Sequence, residues 1–106
     1  MKKWDCKPMK NIPKGWVFLG CHGEFGFPGM NYGNKKTKVE VEINSNVIID
    51  DMPKKESWAV YKKEVPYIGS RLMTPRTVRI IEKYPNILTL KGANHLAKTM
   101  MEMEMK

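Results

Sequence analysis

Long apolar runs are missing from this 106-residue chain, and cysteine and histidine number only two each. With nowhere near ~18 consecutive apolar residues, the sequence offers no candidate membrane helix. The opening stretch MKKWDCKPMK is broken by charge and proline and does not read as a signal peptide, so a soluble, cytoplasmic protein is expected. Cys6 and Cys21 are too few for a disulfide scaffold, which makes free thiols in a reducing compartment the expectation. Closely spaced ligand pairs of the C-x2-C kind are absent and only the neighbours Cys21 and His22 come near that pattern, so neither a metal nor a cofactor is expected. If the strand at 16–19 continues through them, Cys21 and His22 point to opposite faces and form no nucleophile–base pair with each other, while pairings of Cys21 with His95 or of Cys6 with His22 stay open. Together with the lack of carboxylates in contrasting surroundings, this makes catalysis the minority reading.

Acidic residues are scarce as well: eleven Asp and Glu face nineteen Lys and Arg, for a net charge of +8. Such a balance favours acidic partners, either nucleic acid or an acidic protein surface. Residues 1–38 carry eight bases and two acids, residues 39–51 four acids and no base, and residues 52–106 eleven bases and five acids. Arginine is rarer still, with Arg71, Arg76 and Arg79 the only three, all within nine residues. Arginine's planar fork makes paired hydrogen bonds to phosphate or carboxylate, so this cluster says more than the dispersed lysines.

Residues 1–15 read as a basic extended arm, because Pro8 and Pro13 prevent a continuous helix, and residues 16–106 as a single compact domain. The stretch Trp16-Val17-Phe18-Leu19 is a short β-prone run between Gly15 and Gly20 and predicts a buried strand over 16–19. Residues 20–35, GCHGEFGFPGMNYGNK, hold five glycines and three aromatics and read as a loop whose aromatics fold back over the core. Neither G-x-G-x-x-G nor G-K-[ST] occurs there, which argues against a phosphate cradle. Phe25, Phe27 and Tyr32 followed by Lys35, Lys36 and Lys38 nevertheless combine flat π-faces with positive charge, the ingredients of a single-strand binder.

From Thr37 to Ile43 the chain alternates cleanly, with Val39, Val41 and Ile43 on one face, and predicts a strand over 38–43. Asn44-Ser45-Asn46 then turns the chain into a third strand at 47–50, and a fourth follows at 58–62. Thr74-Pro75 before an apolar-periodic run that stops at Pro85 predicts a helix over 75–84. On that helix Arg76, Arg79 and Lys83 fall within about 60° of one another, with Arg71 just upstream, as an anion-binding stripe. A last short strand at 87–90 and a helix over 94–105, capped by Asn94, complete the pattern. Leu96, Met100 and Met103 line one side of that helix as a self-association face.

The expected fold is therefore α+β: a small, mainly antiparallel twisted sheet of four to five strands with two short helices in the C-terminal half. The leading function is non-enzymatic nucleic-acid binding through the arm, the Arg71–Lys83 patch and the loop aromatics. The alternative is a small inhibitor or regulator of the phage accessory type that docks on a host or defence protein. A small-ligand or nucleotide-binding oligomer is the third reading.

Overall fold

The structure, a computed structural model, describes residues 3–52, 54–68 and 78–104. Five strands, β1 (Val17–His22), β2 (Gly29–Asn34), β3 (Val39–Ser45), β4 (Trp58–Glu64) and β5 (Arg79–Ile87), form one antiparallel sheet in sequence order. One helix, α1 (Leu90–Glu104), packs against β3, β4 and β5. The α+β architecture agrees with expectation, but the described residues contain one α-helix where two were expected.

Register sorts the side chains into two faces. Cys21, Met30, Ile43 and Val60 lie side by side across four strands, as do Phe18, Tyr32, Val41 and Lys62. On the other face the rows are His22, Gly29, Asn44 and Ala59, and Asn31, Glu42, Tyr61 and Lys83. The first face holds the core: Met30, Tyr32, Val41, Ile43, Trp58 and Val60 are buried with Ala93, Ala97, Met100 and Met101 of α1. Those helical residues recur at the 3.6-residue period, so α1 presents one stripe to the sheet. Each buried large apolar side chain contributes about 1.5–3 kcal/mol.

Residues 3–15 run without helix or strand back along β1 on the same face. Trp4 enters the core 5.8 Å from the Trp58 ring centroid, and its N–H donates to the Glu24 carbonyl at 2.8 Å. This path brings Cys6 beside Cys21, Cα atoms 6.3 Å apart, and the two are joined as a disulfide. The free-thiol expectation is thereby overturned. Residues far apart in sequence meet because the prolines keep the segment extended.

Three further local expectations change. First, the segment expected as a 75–84 helix forms β5 from Arg79 onward, while 75–77 lie outside the described residues. Pairing with β4 slips twice, between Trp58 and Val60 and between Lys62 and Lys63, so charged and apolar residues mix along β5 without a clean alternation. Pro85 is accommodated because β5 is an edge strand, and Asn86 takes φ 63° at the slip.

Second, 47–50 is no strand. Ser45 Oγ donates to the Val47 carbonyl and accepts from the Val47 N–H, which turns the chain into a short 3-10 helix at Ile49–Asp51 with Ile49 buried. Third, β5 ends at Ile87 in place of a separate 87–90 strand, and α1 begins four residues earlier than expected. Thr89 Oγ1 accepts from the Gly92 N–H, and Glu56 Oε1 accepts from Leu90 N at 2.8 Å and from Trp58 Nε1 at 2.9 Å. A hydroxyl and a carboxylate satisfy the free N–H groups of the first turn, so Asn94 is not needed as cap.

The glycine-rich stretch hides β2. A Cβ on Gly29 would overlap the His22 ring and the Asn44 amide, and one on Gly33 would sit 2.7 Å from Ile68 Cγ2. Side chains of neighbouring segments cross β2 at these points, which is why a strand here uses glycine.

Candidate functional site

At one end of the sheet, Asn34 builds the β2–β3 turn. Its buried side-chain oxygen accepts from the N–H of Lys36 at 3.0 Å and of Thr37 at 3.2 Å, while its carbonyl accepts from the Lys38 N–H at 2.9 Å. Lys38 takes φ 57° to close the turn. An Asx-type turn of this kind fixes the backbone and throws the side chains outward. Lys35, Lys36 and Lys38 are all exposed, and among the described residues their ammonium groups make no ion pair.

Beside the turn, the chain leaving β4 returns over Gly33. The Val65 N–H donates to the Lys38 carbonyl at 3.0 Å, which holds this segment against the turn. Lys35, Lys38, Tyr67 and Ile68 line a shallow hollow of about 250 Å³. Tyr67 is 55% exposed, so a flat apolar ring lies open beside two lysines that make no ion pair among the described residues. Sequence reasoning missed Tyr67; the only signal was a tyrosine after Pro66 in a connecting segment.

The other residues singled out from the sequence are dispersed. Tyr32 is fully buried, its hydroxyl accepting from the Met9 N–H at 2.8 Å. Burial raises the Tyr32 pKa above 10.0, and the Met9 hydrogen bond partly offsets the rise. Phe25 and Phe27 occupy the β1–β2 connection at the opposite end of the sheet, about 20 Å away along a six-residue strand. They are 53% and 57% exposed, whereas the sequence suggested that they cover the core; Tyr32, the third aromatic of the stretch, is buried.

Arg79 lies opposite Glu64 and 3.8 Å from its carboxylate, at the same end as the lysine turn. Lys83 sits 5.6 Å over the Tyr61 ring on the other face of the sheet. A helix would have aligned these two bases, and the strand separates them. Arg71 and Arg76 lie outside the described residues. Met100 is committed to the core and Leu96 packs against it, while Met103 is 61% exposed.

The face away from α1 carries a polar cluster centred on Glu42. Its carboxylate takes Lys63 Nζ at 2.5 Å, the Asn44 amide, and His22 Nε2 at 3.6 Å. Cys21 points to the other face and is held in the disulfide, so it supplies no thiolate to His22. Among the described residues no group of three or more His, Cys, Asp or Glu is arranged to hold a metal ion, and no helix is long and apolar enough to cross a membrane. Comparison with known proteins finds no matching family model, curated protein or solved structure.

Proposed function

We propose that this protein binds single-stranded nucleic acid, with the lysine turn and Tyr67 as the contact surface. The observation that carries the reading is the hollow in which exposed Tyr67 adjoins Lys35 and Lys38. Unpaired ammonium groups neutralise phosphates and release counterions, while an open aromatic ring stacks any base without regard to sequence. Lys36 and Arg79 extend positive charge along the same end of the sheet. A hollow of this size suits one base and not a duplex groove. The net charge of +8 draws the polyanion in from a distance. A cytoplasmic setting is part of this reading, and there the Cys6–Cys21 bond would meet cellular reductants.

Affinity measured against salt with single- and double-stranded oligomers tests it. Replacing Lys35, Lys36 and Lys38 by Ala is expected to lower the slope of log K on log salt by roughly 2, at ~0.7 per single-strand phosphate. Tyr67→Ala is expected to cost about 1–3 kcal/mol with little change in slope. An unchanged slope in the triple variant refutes the reading.

A second reading, docking on a host protein as a small inhibitor, is favoured by the loop at the other end. Backbone N–H groups of Trp4, Gly26, Ser45 and Ile49 bond to carbonyls of residues 23–28, so Phe25 and Phe27 are exposed on a pinned frame. Rigid aromatic anchors bind with less ordering cost. Recovery of one defined partner after nuclease treatment, lost in Phe25→Ala/Phe27→Ala, would favour it over the first.

A further inference from the structure

We infer that Cys6 and Cys21 form a thiol–disulfide exchange site that latches residues 3–15 onto the sheet, and that a dithiol reductant releases them. Between Lys3 and Trp16 the chain makes neither helix nor strand of its own. Among the described residues it is held by the disulfide, the Trp4 N–H to the Glu24 carbonyl, the Met9 N–H to the Tyr32 hydroxyl, and an exposed Lys3–Glu24 pair at 3.5 Å. Trp4, Met9 and Ile12 add apolar contact with the core. The disulfide is thus the one covalent tie on a segment with sparse backbone hydrogen bonding, and once it is cut only the apolar contacts of Trp4, Met9 and Ile12 and these few polar contacts oppose local opening.

Access to that bond is open. Lys3, Trp4, Asp5, Cys6, Cys21 and Glu24 line a solvent-connected cavity of about 490 Å³, and both cysteines are only partly buried. A small dithiol fits this space. Its thiolate attacks one sulfur of the pair, a mixed disulfide forms, and the other cysteine departs as a thiolate that takes a proton from water. The second thiol of the reagent then displaces the first cysteine. Two electrons pass from the dithiol to the protein, leaving two cysteine thiols and a cyclic oxidised reagent. Once cut, residues 3–15 can lift away and bare the core side of Tyr32 and Trp58.

Limited trypsin digestion of the whole protein, oxidised and dithiothreitol-treated, tests this, with cleavage sites and cysteine redox state read by mass. Lys10 and Lys14 are exposed and report on the latched segment, while Lys91 and Lys98 report on α1. Closing a loop of this length is worth a factor on the order of a hundred in the open population, so reduction is expected to speed cleavage after Lys10 and Lys14 by about that factor. Cleavage after Lys91 and Lys98 should change far less. Cys6→Ser/Cys21→Ser should be cut at the fast rate with or without reductant; if that variant does not fold, titration of the native protein with dithiothreitol still decides. Three results overturn the inference: no disulfide in air-oxidised protein, unchanged cleavage of fully reduced protein, or equal acceleration at all four sites.

Discussion

Lys63→Met isolates the buried ion pair on the face of the sheet away from α1. The Lys63 side chain is 5% exposed and that of Glu42 17%, with Nζ and Oε1 2.5 Å apart. Glu40, opposite Lys63 in register, is 2% exposed. Removing one member of a buried pair typically costs about 3–5 kcal/mol, because the other charge is left without compensation. Methionine keeps most of the apolar stem, and Glu42 retains the Asn44 amide and His22, so a loss near the lower bound, about 3 kcal/mol, is expected. With a urea m-value of roughly 1.5 kcal/mol/M for a chain of this size, the midpoint should fall by about 2 M. Replacing both groups, as Lys63→Met/Glu42→Leu, should cost much less than the two single changes together, leaving a coupling of roughly 2 kcal/mol. Added salt should alter these differences little, since the pair is shielded from solvent. A single-variant loss below about 1 kcal/mol, or strict additivity in the double variant, would refute the reasoning.

Gly23 has φ 64°, and a Cβ there would run into the Phe27 carbonyl, a backbone atom that cannot step aside. Gly23→Ala should therefore cost about 1–3 kcal/mol in denaturant melts, against a few tenths for Gly26→Ala, where the space is open. Glu56→Ala removes the acceptor shared by Leu90 N and Trp58 Nε1, and should lower stability by about 1–2 kcal/mol with reduced helix signal in circular dichroism. For Tyr32 the folded state holds the phenol proton more tightly than the unfolded state, whose pKa is 10.0. Its contribution is thus complete below pH 10 and declines as pH rises from 10 through the folded-state value. Melting curves from pH 8 to 11 should show a steeper alkaline decline in the wild type than in Tyr32→Phe.

Parts of this architecture are legible in the residues. Val39, Val41 and Ile43 alternate and form β3, Trp58 begins β4, and Ala93, Ala97, Met100 and Met101 recur at helical period and face the sheet. Residues 79–87 mislead because bulged pairing with β4 breaks the two-residue alternation, leaving an apparent helical period behind. The strand at 29–34 is concealed because Gly29 and Gly33 replace the usual branched residues where neighbouring side chains cross. Of the candidate site, Lys35, Lys36 and Lys38 stand out by charge. Tyr67 does not, since its position beside them depends on the chain after β4 folding back over Gly33.

Local pattern alone determined that this chain is basic, that it makes an antiparallel sheet with a C-terminal helix, and that Lys35, Lys36 and Lys38 gather just before a strand. Tertiary structure decided that 79–87 is an edge strand, that Cys6 meets Cys21, and that the cations of the turn have an aromatic neighbour. Intrinsic propensities differ by only tenths of a kcal/mol to about 1 kcal/mol per residue, so pairing with an existing strand and burial of a face outweigh them. Which segments become neighbours is settled by contacts between residues distant in sequence.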